Sequence, residues 1–119
     1  MRTLHCIAAI FFLTSSPAWS EPVTSENTAI RLATNAIHKF HLTTLKDECG
    51  LLDVVDKPSY FDIVVRERHT EGCGGSAETG PRLFSVRVRK RDGRLTSDAY
   101  DGVSYKPVDH ELSRAGKPR

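Results

Sequence analysis

The pattern of apolar and polar positions begins, after residue 25, with a segment that has the period of an α-helix. Apolar residues recur there at intervals of three and four, which places them on one face of a helix. This stripe consists of Ala29, Ile30, Ala33, Ala36, Ile37 and Phe40. Ser25 is a favourable N-cap because its hydroxyl can accept a backbone N–H of the first turn. We therefore predict a helix over residues 26–42.

The second half of the chain contains segments with the two-residue alternation of β-strands. We predict strands at residues 50–55, 60–69, 84–89 and 95–100, with an Asp92-Gly93 turn before the last. The residues that this alternation places toward the core are Phe61, Ile63, Val65, Phe84, Val86 and Val88. Those that it places toward water are Ser85, Arg87 and Arg89. A helix followed by three or four antiparallel strands predicts an α+β fold, with the helix packed on one face of the sheet.

Residues 1–20 have the composition of a secretory signal peptide. A short basic start is followed by an apolar run from Cys6 to Leu13, which is too short for a bilayer span. Ala18 and Ser20 place small residues at the two positions that signal peptidase recognises. We predict cleavage before Glu21, a periplasmic location and no membrane anchor after cleavage. The remaining chain is predicted to form a single domain over residues 21–108 and a disordered tail over residues 109–119.

Export changes the interpretation of the three cysteines. Cys6 leaves with the signal peptide, so Cys49 and Cys73 remain in an oxidising compartment, where such a pair favours a disulfide. A nucleophilic or redox cysteine is the functional alternative. It is disfavoured because neither residue lies in a Cys-x-x-Cys motif and neither has a local activating base. Zinc binding by the pair lacks the paired spacing typical of such sites.

The distribution of charge is more informative than its total. The chain carries 17 Lys and Arg against 15 Asp and Glu, so overall charge identifies no partner. Residues 82–94 are nevertheless dense in cations, among them Arg82, Arg87, Arg89 and Arg91. This segment is either the solvated face of a strand or an electrostatic contact with an acidic partner. Nucleic acid is disfavoured, because the protein is exported and no aromatic residues interleave with the cations to stack bases.

Two pairs of residues could carry chemistry. Glu67 and His69 lie on one face of a predicted strand, as an acid–base pair or two metal ligands would. Alternatively, they hydrogen-bond the neighbouring glycine-rich loop and hold its shape. His38 and His41, one helical turn apart, would complete a four-ligand set with them if the helix end met the strand end. This set defines the alternative function, a small-ligand or metal-binding protein, although we predict neither a metal nor a cofactor.

The glycine-rich segment that contains Gly74 and Gly75 predicts a tight loop, pinned by the disulfide, that presents backbone and Arg82 to a partner. A phosphate-binding loop would be followed by a helix, whereas an arginine-rich strand follows here. No Gly-x-Ser-x-Gly motif is present, and a domain of this size leaves little room for a substrate cleft. We therefore predict that the protein is not an enzyme and has no catalytic residues.

Three segments resemble the signature of a group of small exported proteins of Gram-negative bacteria. They are Arg66-Glu67-Arg68-His69, Cys73-Gly74-Gly75 and Thr79-Gly80-Pro81-Arg82-Leu83-Phe84. The signature is Glu-x-His…Cys-Gly-Gly…Thr-x-Pro-x-Leu-Phe, and the resemblance covers residues 48–100. Ser76-Ala77 departs from the acidic residue and proline that follow Cys-Gly-Gly in the signature.

The resemblance implies a function in protein binding. Several periplasmic proteins of this size and build are immunity proteins or inhibitors, which neutralise secreted effectors that attack the cell wall. We therefore expect a protein partner of that class, a secreted toxin, effector or envelope hydrolase. The residues expected to contact it are Glu67, His69, Gly74, Gly75, Arg82, Arg87, Arg89 and Arg91. The sequence does not predict an oligomeric state.

Overall fold

The computed structural model describes residues 21–110, and both the predicted signal peptide and the chain from residue 111 onward lie outside this range. Helix α1 (Glu26–Lys39) is followed by a 3-10 turn (Asp47–Cys49) and a sheet. The strands of the sheet are β1 (Gly50–Asp56), β2 (Tyr60–Glu67), β3 (Arg82–Arg89), β4 (Leu95–Ser97) and β5 (Lys106–Pro107). They lie in sequence order and every neighbouring pair is antiparallel. The α+β class is therefore confirmed.

The sheet has five strands, whereas the sequence predicts three or four. The additional strand, β5, pairs with β4 through Thr96 opposite Pro107 and Ser97 opposite Lys106. A strand of two residues has no periodicity, so alternation could not identify it. The predicted return strand over residues 95–100 is also shorter, because β4 ends at Ser97 and the next residue, Asp98, turns its side chain to β3.

Helix α1 begins at the predicted residue and ends earlier than predicted. The Ser25 side chain accepts the backbone N–H of Thr28 at 3.2 Å, as expected of an N-cap. The helix ends at Lys39 instead of residue 42, since Phe40 is the C-cap and His41 adopts a positive φ of 50°. His41 is therefore in the left-handed region, which an α-helix does not use.

The core lies between α1 and one face of β1, β2 and β3. The fully buried helix residues are Ala29, Ala33 and Ala36. Ile30, Ile37 and Phe40, also in the predicted stripe, are only partly buried at the flanks of this alanine row. Because alanine side chains are small, the helix backbone can approach the sheet closely. The predicted inner residues of the sheet are all buried, namely Phe61, Ile63, Val65, Phe84, Val86 and Val88.

Ser85 corrects the prediction that the alternate residues of β3 face water. It is only 1% exposed. Its backbone N–H donates to the Asp98 carboxylate at 2.8 Å, and its carbonyl accepts the Ser97 hydroxyl at 2.7 Å. The segment after β4 thus covers this position, which alternation within β3 alone could not reveal.

The face of the sheet opposite α1 carries no second helix or sheet within residues 21–110, although the segment after β4 covers it at Ser85; we call it the open face. It carries the alternate strand residues Leu51, Val55, Tyr60, Asp62, Arg87, Arg89 and Thr96. Leu51 and Val55 are each 40% exposed. In the same part of the chain, no helix is long and apolar enough to cross a membrane.

Candidate functional site: a cross-linked loop and an arginine-lined face

The predicted disulfide is present between Cys49 and Cys73, with Cα atoms 5.6 Å apart. Cys49 ends the 3-10 turn before β1, and Cys73 lies in the segment between β2 and β3. We call residues 70–81 of this segment the glycine loop. The backbone N–H of Arg68 donates to the Cys49 carbonyl at 2.7 Å, so a hydrogen bond supports the covalent link where the loop leaves the sheet.

His69, which directly precedes the glycine loop, links the loop to the end of β2. Its Nε2 lies 2.6 Å from Oε2 of Glu67, and its Nδ1 lies 2.7 Å from the Ser76 carbonyl oxygen. A carbonyl can only accept, so Nδ1 donates to Ser76, and Nε2 donates to the ionised Glu67 carboxylate. With both ring nitrogens donating, the imidazolium form is favoured. The hydrogen bond to Glu67, supported by that to Ser76, raises the pKa of His69 above its usual value.

Gly75 is required by the position of the His69 ring. A Cβ atom at residue 75 would lie 2.6 Å from three atoms of that ring, and the backbone has a φ of +79°. Both conditions exclude an ordinary side chain. Gly74 also has a positive φ, +76°, but open space where its Cβ would be. The predicted group of Glu67, His69, Gly74 and Gly75 is therefore brought together, with the ring seated against the loop backbone.

The glycine loop is accessible as well as constrained. Residues 74–81, and the Arg82 that follows them, are all exposed. Loops of this kind are usually mobile, since little of their surface is buried. Here the disulfide, the partly buried Glu67–His69 ion pair and the packing of the His69 ring against Gly75 hold the conformation instead. The arrangement restricts the loop to one conformation.

Arg82 lies at the end of the glycine loop and is committed to a contact within the fold. Its Nη2 donates to Oδ2 of Asp98 at 2.5 Å and to the Ser85 hydroxyl at 3.0 Å. The Asp98 side chain is only 5% exposed, whereas that of Arg82 is 39% exposed. Tyr105 adds a further acceptor at 3.3 Å. The hydrogen bond to Asp98, with a smaller contribution from Tyr105, raises the pKa of Arg82. Arg82 therefore neutralises a buried carboxylate and also faces solvent.

The other predicted arginines lie away from the glycine loop. Arg82 and Arg89 are the first and last residues of β3, so the predicted contact residues divide between the two ends of the sheet. Arg89 donates through Nε to Oδ1 of Asp92 at 2.8 Å and through Nη2 to the second oxygen. This pairing with Arg89, with the Arg94 backbone N–H, lowers the pKa of Asp92 to about 2. Arg91 is exposed on the same turn, 4.0 Å from Asp92.

Arg87 projects from the middle of the open face. Its guanidinium carbon lies 3.5 Å from the Tyr105 ring centroid and 5.0 Å from that of Tyr60. Arginine stacks on aromatic faces through its planar cation, and this contact fixes the side chain. Sequence analysis identified Arg87 but neither tyrosine, because Tyr105 reaches β3 only through the return of the chain to β5.

The alternative metal-binding residues are not gathered into one site. Nε2 of His38 lies 2.9 Å from Oδ1 of Asp47, which precedes β1. Glu67 and His69 instead pair with each other. Across residues 21–110, no group of three or more His, Cys, Asp or Glu side chains is arranged to hold a metal ion. His41 follows the helix C-cap in the positive-φ conformation described above.

No family model, curated protein or solved structure matches this chain in comparisons with known proteins. The likeness to small exported Gram-negative proteins therefore stays a prediction from the motif residues.

Besides the two tyrosines, the sequence did not single out Asp98 or Arg94 as residues of these surfaces. Asp98 was assigned to a return strand, although it holds both Arg82 and the backbone of Ser85. Arg94 belongs to the cation-rich segment of residues 82–94 but was not among the expected contact residues, yet it lies beside the open-face arginines. A carboxylate directly after a short strand and before a small residue was the only local signal for Asp98, and such signals are common.

Proposed function

We propose that the protein is an exported protein-binding module, and that it acts in the periplasm as an immunity protein or inhibitor of an envelope-targeting effector or hydrolase. The observation that carries this proposal is the glycine loop, which is exposed over residues 74–81 and yet cross-linked by Cys49–Cys73 and His69. A binding loop that is already ordered loses less conformational entropy when its partner binds.

The chemistry of the loop supports binding rather than turnover. The titratable residues beside the loop, Glu67 and His69, form an ion pair with each other, and His69 also donates to the Ser76 carbonyl. A general acid or base must present its proton to a substrate. The imidazole instead supports backbone that faces solvent, which is the task of a residue that shapes a binding loop.

The proposal is tested by capture of the partner with a loop variant and a matched control. The full chain is expressed with a C-terminal tag and purified from the periplasm together with the proteins it retains. Ala77→Arg places a bulky side chain at an exposed residue of the glycine loop. Asn35→Arg makes a comparable change on the exposed side of α1. We expect one stoichiometric partner with the wild type and Asn35→Arg, and loss of it with Ala77→Arg.

The captured partner then has to be shown to be inhibited. Purified wild-type protein should suppress the hydrolytic or toxic activity of the partner, and Ala77→Arg should suppress it much less. A partner whose activity is unchanged, or one retained equally by both variants, would remove the inhibitor proposal. Intact-mass analysis of the same sample tests export, because the processed chain should begin at Glu21.

A further inference from the structure

The open face contains a concave site that the glycine loop does not use. It lies near the hairpin end of the sheet and has a volume of about 280 Å³. Its lining consists of Ser59, Tyr60, Arg87, Arg89, Arg94 and Thr96. These residues supply guanidinium and hydroxyl groups, and no carboxylate. Such a lining is complementary to a ligand that is rich in acceptor oxygens and negatively charged.

Two of the arginines have no anionic partner in the part of the chain that the structure describes. Within residues 21–110, neither Arg87 nor Arg94 forms an ion pair with a carboxylate, and Nε of Arg87 has no hydrogen bond. The cross-strand neighbour of Arg87 is Asp62, one of whose oxygens is also buried without a hydrogen bond. The two tyrosine rings therefore hold Arg87 in place without neutralising its charge.

The third arginine is positioned by the hairpin. Asp92 engages Arg89 through both carboxylate oxygens and also accepts the backbone N–H of Arg94. Arg89 and Arg94 face each other across the hairpin, where the Arg89 N–H donates to the Arg94 carbonyl at 2.9 Å. The three arginines outnumber the two nearby carboxylates, Asp62 and Asp92, so the net charge around the site remains positive.

We propose that this site binds an extended acidic segment of the protein partner, with carboxylates on alternate residues. Arg87 and Arg89 project from the same face of β3, and alternate residues of a strand lie roughly 7 Å apart. Alternate carboxylates of an extended acidic segment have the same spacing, and guanidinium groups bind carboxylates in a bidentate manner. This inference depends on the proposed function in one respect, which is that the bound acidic segment belongs to a protein partner.

The inference is tested on the full chain with two peptides, hexaglutamate and the neutral hexaglutamine. Binding is measured by calorimetry and by NMR shifts of backbone amides, at about 0.15 M salt so that distant charges are screened. We expect saturable binding of hexaglutamate alone, with shifts concentrated at Arg87, Arg89 and Thr96. Arg94→Gln should weaken it about tenfold, since a hydrogen bond between charged groups is lost. Arg31→Gln removes the same charge from the exposed side of α1 and should change it less than twofold.

Each other outcome overturns the inference. Equal weakening by Arg94→Gln and Arg31→Gln would mean that only the net charge matters. Absence of saturation, or shifts confined to the glycine loop, would exclude the site. Displacement of hexaglutamate by millimolar inorganic phosphate, with the same amide shifts, would assign it to phosphate instead. Peptide binding does not depend on capturing the partner, so a failure here leaves the proposed function standing, and a failed capture leaves this result standing.

Discussion

Arg82 and Asp98 form an ion pair of 2.5 Å that joins the start of β3 to the residue after β4. The second oxygen of Asp98 accepts the Ser85 N–H, so one nearly buried carboxylate organises two strands and the end of the glycine loop. Arg82, which the sequence singled out as a contact for a partner, is therefore also the group that makes this carboxylate tolerable inside the fold.

We expect Arg82→Glu to destabilise the protein by about 2–3 kcal/mol. It leaves Asp98 without its cation and adds a second negative charge beside it; the loss is smaller than for a fully buried pair because Arg82 is 39% exposed. The measurement is the free energy of unfolding from urea denaturation at pH 7. Arg68→Glu makes the same charge change at an exposed residue and should cost less than about 0.5 kcal/mol. Equal stabilities of the two variants would show that Asp98 does not depend on Arg82.

The glycine loop should loosen as the pH rises. The hydrogen bonds of His69 to Glu67 and Ser76 raise the pKa of the ring above 6.5. The stabilisation by the imidazolium is therefore complete below about pH 6.5 and is lost as the pH rises through the raised pKa. NMR titration of the His69 ring should locate that pKa, and limited proteolysis within residues 70–81 should accelerate over the same range. His69→Gln should be cleaved at a rate that does not follow this titration. A ring that titrates below 6.5 would contradict the assignment of both nitrogens as donors.

Three glycine substitutions separate steric conflict from backbone strain. Gly75→Ala should destabilise most, by about 2–3 kcal/mol, because it combines a 2.6 Å contact with the His69 ring and a positive φ. Gly74→Ala carries only the positive φ and should cost about 1 kcal/mol. Gly72→Ala meets nothing within 4 Å and should be nearly neutral. Thermal unfolding of the three variants measures the order, and a neutral Gly75→Ala would mean that the ring does not rest on the loop.

Removal of the disulfide should cost about 3 kcal/mol in the free energy of unfolding, because the bond closes a loop over the 24-residue separation of Cys49 and Cys73. The double variant Cys49→Ser, Cys73→Ser is compared with the wild type in guanidinium chloride. Wild type with reductant should unfold at the same midpoint as the variant. Amide exchange should increase chiefly in the glycine loop, and an unchanged loop would show that His69 alone maintains its conformation.

Local sequence patterns predicted an element well where the pattern repeats over several helical turns or several alternations of a strand. Ser25 and the stripe of α1, the alternation of Phe61 to Val65 and the Asp-Gly hairpin each depend on neighbours within a few positions. The helix C-terminus was wrong by three residues, because nothing local marks His41 as left-handed. Strand β5 was missed because its two residues are recruited by β4.

The candidate contact residues were predicted by type but not by arrangement. Glu67 and His69 were placed on one face, and the interpretation that they hold the glycine loop agrees with their hydrogen bonds to each other and to Ser76. The arginines were treated as one patch, whereas β3 separates Arg82 from Arg89 by its whole length. Because a β-strand is extended, residues that are seven positions apart in sequence lie far apart in space. The arginines that cluster in the sequence therefore belong to two separate surfaces.

The sequence by itself determined the helix-then-strands order and the glycines of the loop, and it favoured a disulfide between Cys49 and Cys73, which the structure contains. The order of elements follows from periodicity, and the loop glycines follow from backbone freedom, both of which act over short distances in the chain. The disulfide was favoured because Cys49 and Cys73 are the two cysteines outside the predicted signal peptide. Only the tertiary structure decided that Ser85 is buried, that Arg82 neutralises Asp98 and that two tyrosines flank Arg87. Each of those contacts joins residues more than ten positions apart, and the strand register that brings them together is set by the packing of the whole sheet against α1.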